Sequence, residues 1–148
     1  MSRILLPILA SALLMTSFTA RAQSADGVPY TEGAVVVLSY IRIEPGMFDE
    51  YMRYLAGTYK KVMDEYKEKG IIQDWGVYNA FPRSEDEPDL ILTVAYKNWA
   101  ALDGLRERTD PIAQRVWGSL EESAKQNAAR GKMRTSIGTE TLQRLELK

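Results

Sequence analysis

The spacing of apolar positions changes along the chain and divides residues 34–147 into strands and helices. Residues 34–43 (AVVVLSYIRI) are rich in β-branched side chains, which is typical of a strand. Both alternating sets of side chains in this run are largely apolar, so we expect both faces of the strand to be covered. Residues 71–81 (IIQDWGVYNAF) and 89–97 (DLILTVAYK) predict two more strands, and their short charged connector favours an antiparallel hairpin.

Between the first two strands the apolar spacing becomes helical. Residues 44–46 (EPG) predict a turn, and apolar side chains then recur at i, i+3, i+4 and i+7 as far as Gly70, a natural helix end. This stripe consists of Phe48, Tyr51, Met52, Leu55, Tyr59, Val62, Met63 and Tyr66. The sequence therefore predicts one long amphipathic helix that packs on the sheet by an aromatic face.

A second helical region follows the third strand. Residues 98–110 (NWAALDGLRERTD) predict a short helix with Asn98 as its N-cap. Residues 110–130 predict a longer helix, with Asp110 as its cap, a proline in its first turn and Gly131 after its end. We expect this region to lie on the same face of the sheet as the first helix.

Residues 133–147 predict a last strand or pair of strands, with Gly138 at a bulge or bend. The order of elements is therefore β-α-β-β-α-β, the ferredoxin-like α+β pattern: a four-stranded antiparallel sheet with two helical regions on one face. We expect residues 34–148 to form this single domain. The other face of the sheet carries Val36, Leu38 and Tyr40 and needs cover, which a second copy in a closed two-fold dimer usually supplies.

The first 22 residues resemble a secretory signal peptide. Arg3 supplies the positive start, and residues 4–18 are apolar but too short to span a bilayer comfortably. We place cleavage after Ala22 and interpret residues 23–33 as a flexible lead-in. The mature chain is expected to be periplasmic and to have no membrane partner after cleavage. An uncleaved N-terminal anchor is the alternative.

Histidine and cysteine are both absent from the chain. This composition excludes a His-ligated haem, a Ser-His-Asp triad, a His-based metal site and a thiolate nucleophile. A tyrosine-ligated haem stays open but has no specific support. The sequence contains no GxSxG, P-loop or GxGxxG motif, and the acidic connector at residues 85–89 lacks calcium-loop spacing. We therefore predict no cofactor and no metal.

The charge balance of the mature chain is slightly acidic. Without Arg3 and Arg21, 17 of the 19 Lys and Arg residues are left against 20 Asp and Glu, a net charge of −3. Such a balance gives no reason to expect nucleic acid as a partner.

Three stretches give the chain a resemblance to the dimeric α+β barrel superfamily, and in particular to antibiotic-biosynthesis monooxygenases. They are residues 42–46 (RIEPG) with the helix that follows, residues 70–81 (GIIQDWGVYNAF) and residues 89–99 (DLILTVAYKNW). The resemblance implies a homodimer through the sheet face. The superfamily includes cofactor-free quinol-type monooxygenases, haem-degrading monooxygenases, haem proteins that commonly use a proximal His, and members without known activity.

In the cofactor-free monooxygenases that the chain resembles, Tyr, Trp and Asn side chains orient an aromatic substrate in a pocket between the helices and the sheet. By this resemblance the candidate ligand-binding residues are Tyr40, Arg42, Tyr78, Asn79 and Tyr96. The competing interpretation is that the tyrosines pack in the sheet with their hydroxyls at the edge of the core. Arg42 either pairs with a ligand carboxylate or pairs within the chain, with Glu44 or Glu140.

Two functions are consistent with these residues. The first is an exported homodimer that binds a small apolar or aromatic molecule. The second is a cofactor-free monooxygenase-like enzyme acting on an aromatic or quinone-like compound, which requires Tyr40, Arg42 or Tyr78 to converge on one cavity. The lack of histidine, the usual proton shuttle near neutral pH, favours the first function. The sequence assigns no catalytic residue.

Overall fold

Four antiparallel strands and the helices that pack on one of their faces make up the fold. The computed structural model describes residues 27–148, so the predicted signal peptide lies outside the described residues. The elements are β1 (Tyr30–Ile43), α1 (Phe48–Tyr54), a π-helical segment (Leu55–Tyr59), α2 (Lys60–Glu68), β2 (Asp74–Asn79), β3 (Leu90–Tyr96), a 3₁₀ turn (Trp99–Leu102), α3 (Leu105–Trp117), α4 (Leu120–Met133) and β4 (Arg134–Leu147).

The sheet has the strand order β2-β3-β1-β4, and every neighbouring pair is antiparallel. Because β3 lies between β1 and β2, the first helical region connects two parallel strands that are not neighbours. The second helical region connects β3 to β4 in the same way. This is the predicted ferredoxin-like α+β fold, and the sequence pattern is confirmed at this level.

The predicted turn after β1 is present. The Met47 amide donates a hydrogen bond to the Glu44 carbonyl at 2.9 Å, and Gly46 adopts a φ of 77°. A type II turn requires a positive φ at its third residue, which glycine supplies, and commonly has proline at its second. The helix then begins at Phe48, directly after the turn.

The predicted long helix is interrupted in its middle. Residues 55–59 (LAGTY) form a π-helical segment between α1 and α2. Tyr51, Leu55 and Val62 from the predicted apolar stripe are buried, so the stripe packs on the sheet despite the change in winding.

The second helical region differs from the prediction. Asn98 does act as an N-cap, and its side chain accepts from the Ala101 amide at 3.1 Å, but it caps only a 3₁₀ turn. The next helix begins at Leu105, before the predicted cap Asp110, so Pro111 lies inside the helix instead of in its first turn. A proline inside a helix removes its own amide from the helical ladder and crowds the carbonyl four residues earlier. The buried Ile112 beside it packs this turn against the core.

The predicted helix over residues 110–130 is two helices. The chain breaks at Gly118, which has a φ of 85°, and the Ser119 hydroxyl caps α4 by accepting from the Glu122 amide at 3.0 Å. The second helix runs through Gly131, the predicted end, to Met133. A serine cap directly after a glycine with positive φ makes the break stable.

The first and last strands are longer than predicted. Residues 30–33, interpreted above as part of a flexible lead-in, belong to β1, and Tyr30 pairs with Leu147. Residues 134–147 form one strand, with a register irregularity beside Gly138 where a bulge or bend was predicted. The lead-in was misjudged because its strand partner lies more than 100 residues away in sequence.

Two clusters of buried side chains occupy the space between the helices and the sheet. One cluster contains Ile41, Tyr51, Leu55, Leu90, Leu92 and Met133. The other contains Val35, Ile71, Ile72, Tyr96 and Ile112. The core of the domain therefore lies on one side of the sheet.

Among the helices described between residues 27 and 148, none is both long enough and apolar enough to cross a membrane.

Candidate functional site

The sheet face that points away from the helices, here called the open face, is the candidate site. The register of the strands places its side chains in three rows that cross the sheet from β2 to β4. The rows are Asp74, Ala95, Val36 and Leu142; then Gly76, Thr93, Leu38 and Glu140; then Tyr78, Ile91, Tyr40 and Gly138. The centre of the open face is thus mostly apolar, and polar groups lie toward its two edges.

A hollow of about 490 Å³ lies on the β2 side of the open face. It is lined by Val36, Leu38, Asp74, Trp75, Tyr78, Ile91, Thr93 and Ala95. Thr93 and Ala95 are the smaller side chains among these lining residues. A volume of this size suits a small organic molecule.

The two open-face tyrosines each lie over a glycine. The ring of Tyr78 lies 2.8 Å from where a Cβ atom of Gly76 would be, and the ring of Tyr40 lies 3.6 Å from the equivalent point of Gly138. Tyr78 is 58% exposed, so its ring forms a wall of the hollow that is still accessible. Gly76 is therefore required sterically for the position of this wall.

Tyr40 is held by a carboxylate. Its hydroxyl donates a hydrogen bond of 2.6 Å to Oε2 of Glu140 on β4. This bond favours the protonated phenol and raises the pKa of Tyr40 above its usual value. The sequence suggested Glu44 and Glu140 as partners for Arg42 within the chain. Glu140 bonds to Tyr40 instead of Arg42.

Arg42 lies at the end of β1 and lines a different cavity. This second cavity has a volume of about 590 Å³ and is lined by Arg42, Ile43, Glu44, Pro45, Pro82, Arg83, Ser84, Glu85, Glu87 and Asp89. Asp89 already accepts from the Ile43 amide at 2.7 Å, and Glu87 pairs with Arg83 at 2.8 Å. The second cavity is therefore a polar site at the end of the sheet, separate from the hollow. Among the described residues, the buried Nε atom of Arg42 has no hydrogen-bond partner.

The remaining two candidates lie on the face covered by helices. Tyr96 is only 9% exposed and belongs to the buried cluster with Val35, where burial raises the pKa of its hydroxyl. Asn79 is exposed at the end of β2, with a register that places it on the helix side. Of the five predicted residues, the structure brings Tyr40 and Tyr78 onto one surface, on either side of Ile91, and separates the other three from the hollow.

Several lining residues were missed at the level of sequence. Ile91, Thr93 and Ala95 are the alternate residues of β3 that point away from the helices. Their alternation was visible in the sequence, but nothing local distinguishes the covered face of this strand from the open one. Asp74 was missed as well; Lys67 donates to it at 2.7 Å and lowers its pKa, so the carboxylate stays charged near neutral pH.

The space between helices and sheet, where the resemblance placed a pocket, holds packed aromatic side chains. Tyr51 stacks on Tyr54 with 6.0 Å between ring centroids, and Tyr59 meets Trp75 edge-on at 5.7 Å. Burial raises the pKa of Tyr59 to about 12. Trp75 and Tyr78 point to opposite faces of β2, as an alternating strand requires. Within residues 27–148, no group of three or more Asp or Glu side chains is placed to hold a metal ion.

Comparison with known proteins supports the α+β fold class. No protein-family model and no curated protein matches the chain. Among solved structures, the fold is similar to that of HapK from Hahella chejuensis, with a TM-score of 0.51 and 11% sequence identity. The match covers 74% of this chain and 91% of HapK. At this identity the similarity shows the fold alone.

Proposed function

We propose that this protein is an exported homodimer of the dimeric α+β barrel type that binds a small apolar or aromatic molecule between the open faces of its two sheets. The observation that carries the proposal is the hollow in the open face. This apolar sheet face points away from the helices, and its central side chains are half-exposed. A second copy placed on this face would bury the apolar rows and close the hollow on both sides.

The residues of the open face support a self-complementary interface. Val36, Leu38 and Ile91 lie near its centre and are only half-buried in the single chain. An isologous two-fold contact brings the same surface from both subunits together, so an apolar centre meets an apolar centre. The gain from removing such surface from water is about 25 cal/mol per Å².

Export and membership of the antibiotic-biosynthesis-monooxygenase-like group are parts of the same proposal. Export rests on the signal-peptide pattern that ends at Ala22. The superfamily rests on the ferredoxin-like topology together with the three sequence stretches that carry the resemblance. Periplasmic fractionation of cells that express the full chain, followed by N-terminal sequencing, tests the first part: a mature N-terminus at Gln23 is expected.

The geometry favours binding over catalysis. The monooxygenase hypothesis requires polar groups that converge on one point. Tyr40 is bonded to Glu140, Arg42 lines the second cavity, and Tyr78 alone of the three lines the hollow. We therefore propose no reaction.

The substitution Leu38→Asp tests the dimer. It places a charge at the centre of the proposed interface, next to Glu140 in the same row, and we expect a folded monomer by sedimentation velocity. The matched control is Thr141→Asp on β4, an exposed position on the opposite face of the sheet, which is expected to stay dimeric. Circular dichroism checks that both variants fold.

A Leu38→Asp variant that sediments as the same dimer as the wild type would show that the open face is not the interface. A wild-type protein that is monomeric at all accessible concentrations would overturn the barrel proposal directly. Dissociation of both variants would point to a general loss of stability, and the dimer would then have to be tested with Leu38→Ala.

A further inference from the structure

We infer that the hollow selects an uncharged aromatic ligand and rejects an anionic one of the same shape. This inference rests on the proposed binding function and names the chemical class of the ligand. It follows from the distribution of charged side chains over the open face.

The charged side chains in the three rows of the open face are both carboxylates. Asp74 lines the hollow at its β2 edge. Glu140 lies in the row of Leu38, at the β4 edge, and accepts from Tyr40. An anionic ligand placed over Leu38 and Ile91 would be repelled by Glu140, whereas the charge of Asp74 is offset by Lys67 at 2.7 Å. An uncharged ring is not repelled.

Within the part of the chain that the structure describes, no Lys or Arg is among the residues that line the hollow. Lys67 reaches Asp74 from α2 and bonds to its Oδ1 at 2.7 Å. Arg42 opens into the second cavity, which also carries the carboxylates of Glu44, Glu85, Glu87 and Asp89. Neither cation is thus offered to a ligand carboxylate or sulfonate in the hollow.

Two-fold symmetry strengthens the selection. In the proposed dimer the second wall of the site is the same surface, so it adds a second Asp74 and a second Glu140 and the same apolar centre. Closing the site also removes water, which strengthens the repulsion of an anion.

A matched pair of fluorescent probes tests this inference. N-phenyl-1-naphthylamine and 8-anilinonaphthalene-1-sulfonate share one ring skeleton and differ by a sulfonate group. We expect the dimeric wild-type protein to bind the uncharged probe about tenfold more tightly than the sulfonate. The substitution Glu140→Gln, which keeps an acceptor for the Tyr40 hydroxyl, should raise affinity for the sulfonate and leave the uncharged probe unchanged.

Glu85→Gln is the control, since it removes the same charge from the connector outside the hollow and should leave both affinities as they are. Equal affinity for the two probes, or tighter binding of the sulfonate, would overturn the inference and leave the binding function standing. If neither probe binds, the proposed binding function itself fails. If Leu38→Asp still binds the uncharged probe, the ligand lies elsewhere and the inference is wrong.

Discussion

Tyr78 and Gly76 form the most constrained pair of residues on the open face. They lie on the same strand, two positions apart, and the tyrosine ring occupies the space that any other residue at position 76 would fill. Glycine in a strand usually weakens it. Here the glycine admits the ring and so shapes the hollow.

The substitution Gly76→Ala should therefore alter binding more than stability. The added methyl group pushes aside the end of a flexible side chain, and the strand gains some backbone rigidity, so the free energy of unfolding should change by less than about 1 kcal/mol. Affinity for N-phenyl-1-naphthylamine should fall by about fivefold because the wall formed by Tyr78 moves. Fluorescence titration and urea unfolding measure the two quantities.

Gly138→Ala is the control for this experiment, because the methyl group there meets the Tyr40 ring at 3.6 Å, an ordinary contact distance. Full probe affinity in Gly76→Ala would show that the position of Tyr78 does not shape the site.

The raised pKa of Tyr59 predicts that the folded protein loses stability at alkaline pH. Burial raises its pKa to about 12 from a usual value of 10.0. The folded protein thus holds this proton more tightly than the unfolded chain does. Its contribution is complete below pH 10.0 and is lost as the pH rises toward about 12.

We expect this tyrosine to account for about 1 kcal/mol of the stability lost between about pH 9 and pH 11. Tyr59→Phe keeps the ring against Trp75 but cannot ionise, so its free energy of unfolding should fall less steeply over the same interval. Urea unfolding at both pH values gives the comparison. Identical pH slopes for the variant and the wild type would contradict the assignment.

At the scale of elements, the break between α3 and α4 is set by one glycine. Gly118 has a positive φ, and Ser119 starts the next helix directly after it. We expect Gly118→Ala to destabilise the protein by about 1 kcal/mol, since a side chain is strained in this conformation. Gly131→Ala makes the same chemical change near the end of α4 and should stabilise by about 0.5 kcal/mol.

Urea unfolding of the two glycine variants measures this difference. A Gly118→Ala protein as stable as the wild type would mean that the two helices can join into the single helix that the sequence predicts.

The elements that could be predicted from sequence are those whose signals are local. The strand at residues 34–43, the turn at residues 44–46 and the aromatic helix stripe each follow from spacing within a few residues. The break at Gly118 was missed because a glycine in an otherwise helical pattern is often tolerated. The first four residues of β1 were missed because only their pairing with the distant end of β4 makes them a strand.

Less of the candidate site than of the fold could be predicted from sequence, because the site depends on how distant strands pair. Alternation along β1 and β2 correctly placed Tyr40 on one face and separated Trp75 from Tyr78. It could not tell that Tyr96 faces the helices, because β3 is apolar on both sides and its orientation depends on pairing with β1. Nor could it place Glu140 beside Tyr40, since that contact depends on the register across 100 residues.

At the scale of the whole molecule, the domain is asymmetric. The helices bury two clusters on one side of the sheet, while the apolar rows around Leu38 and Ile91 stay half-exposed on the other. Monomeric proteins rarely leave a large contiguous apolar surface in water. A second copy and a bound molecule are the cover that we propose for it.

Native mass spectrometry of the mature protein, purified from the cells that make it, tests this claim most directly. We expect a mass of two mature chains together with a small bound molecule. The Leu38→Asp variant should show neither the dimer nor the bound molecule. A monomer without a bound molecule, at concentrations well above those in the cell, would contradict both the covered open face and the function proposed for it.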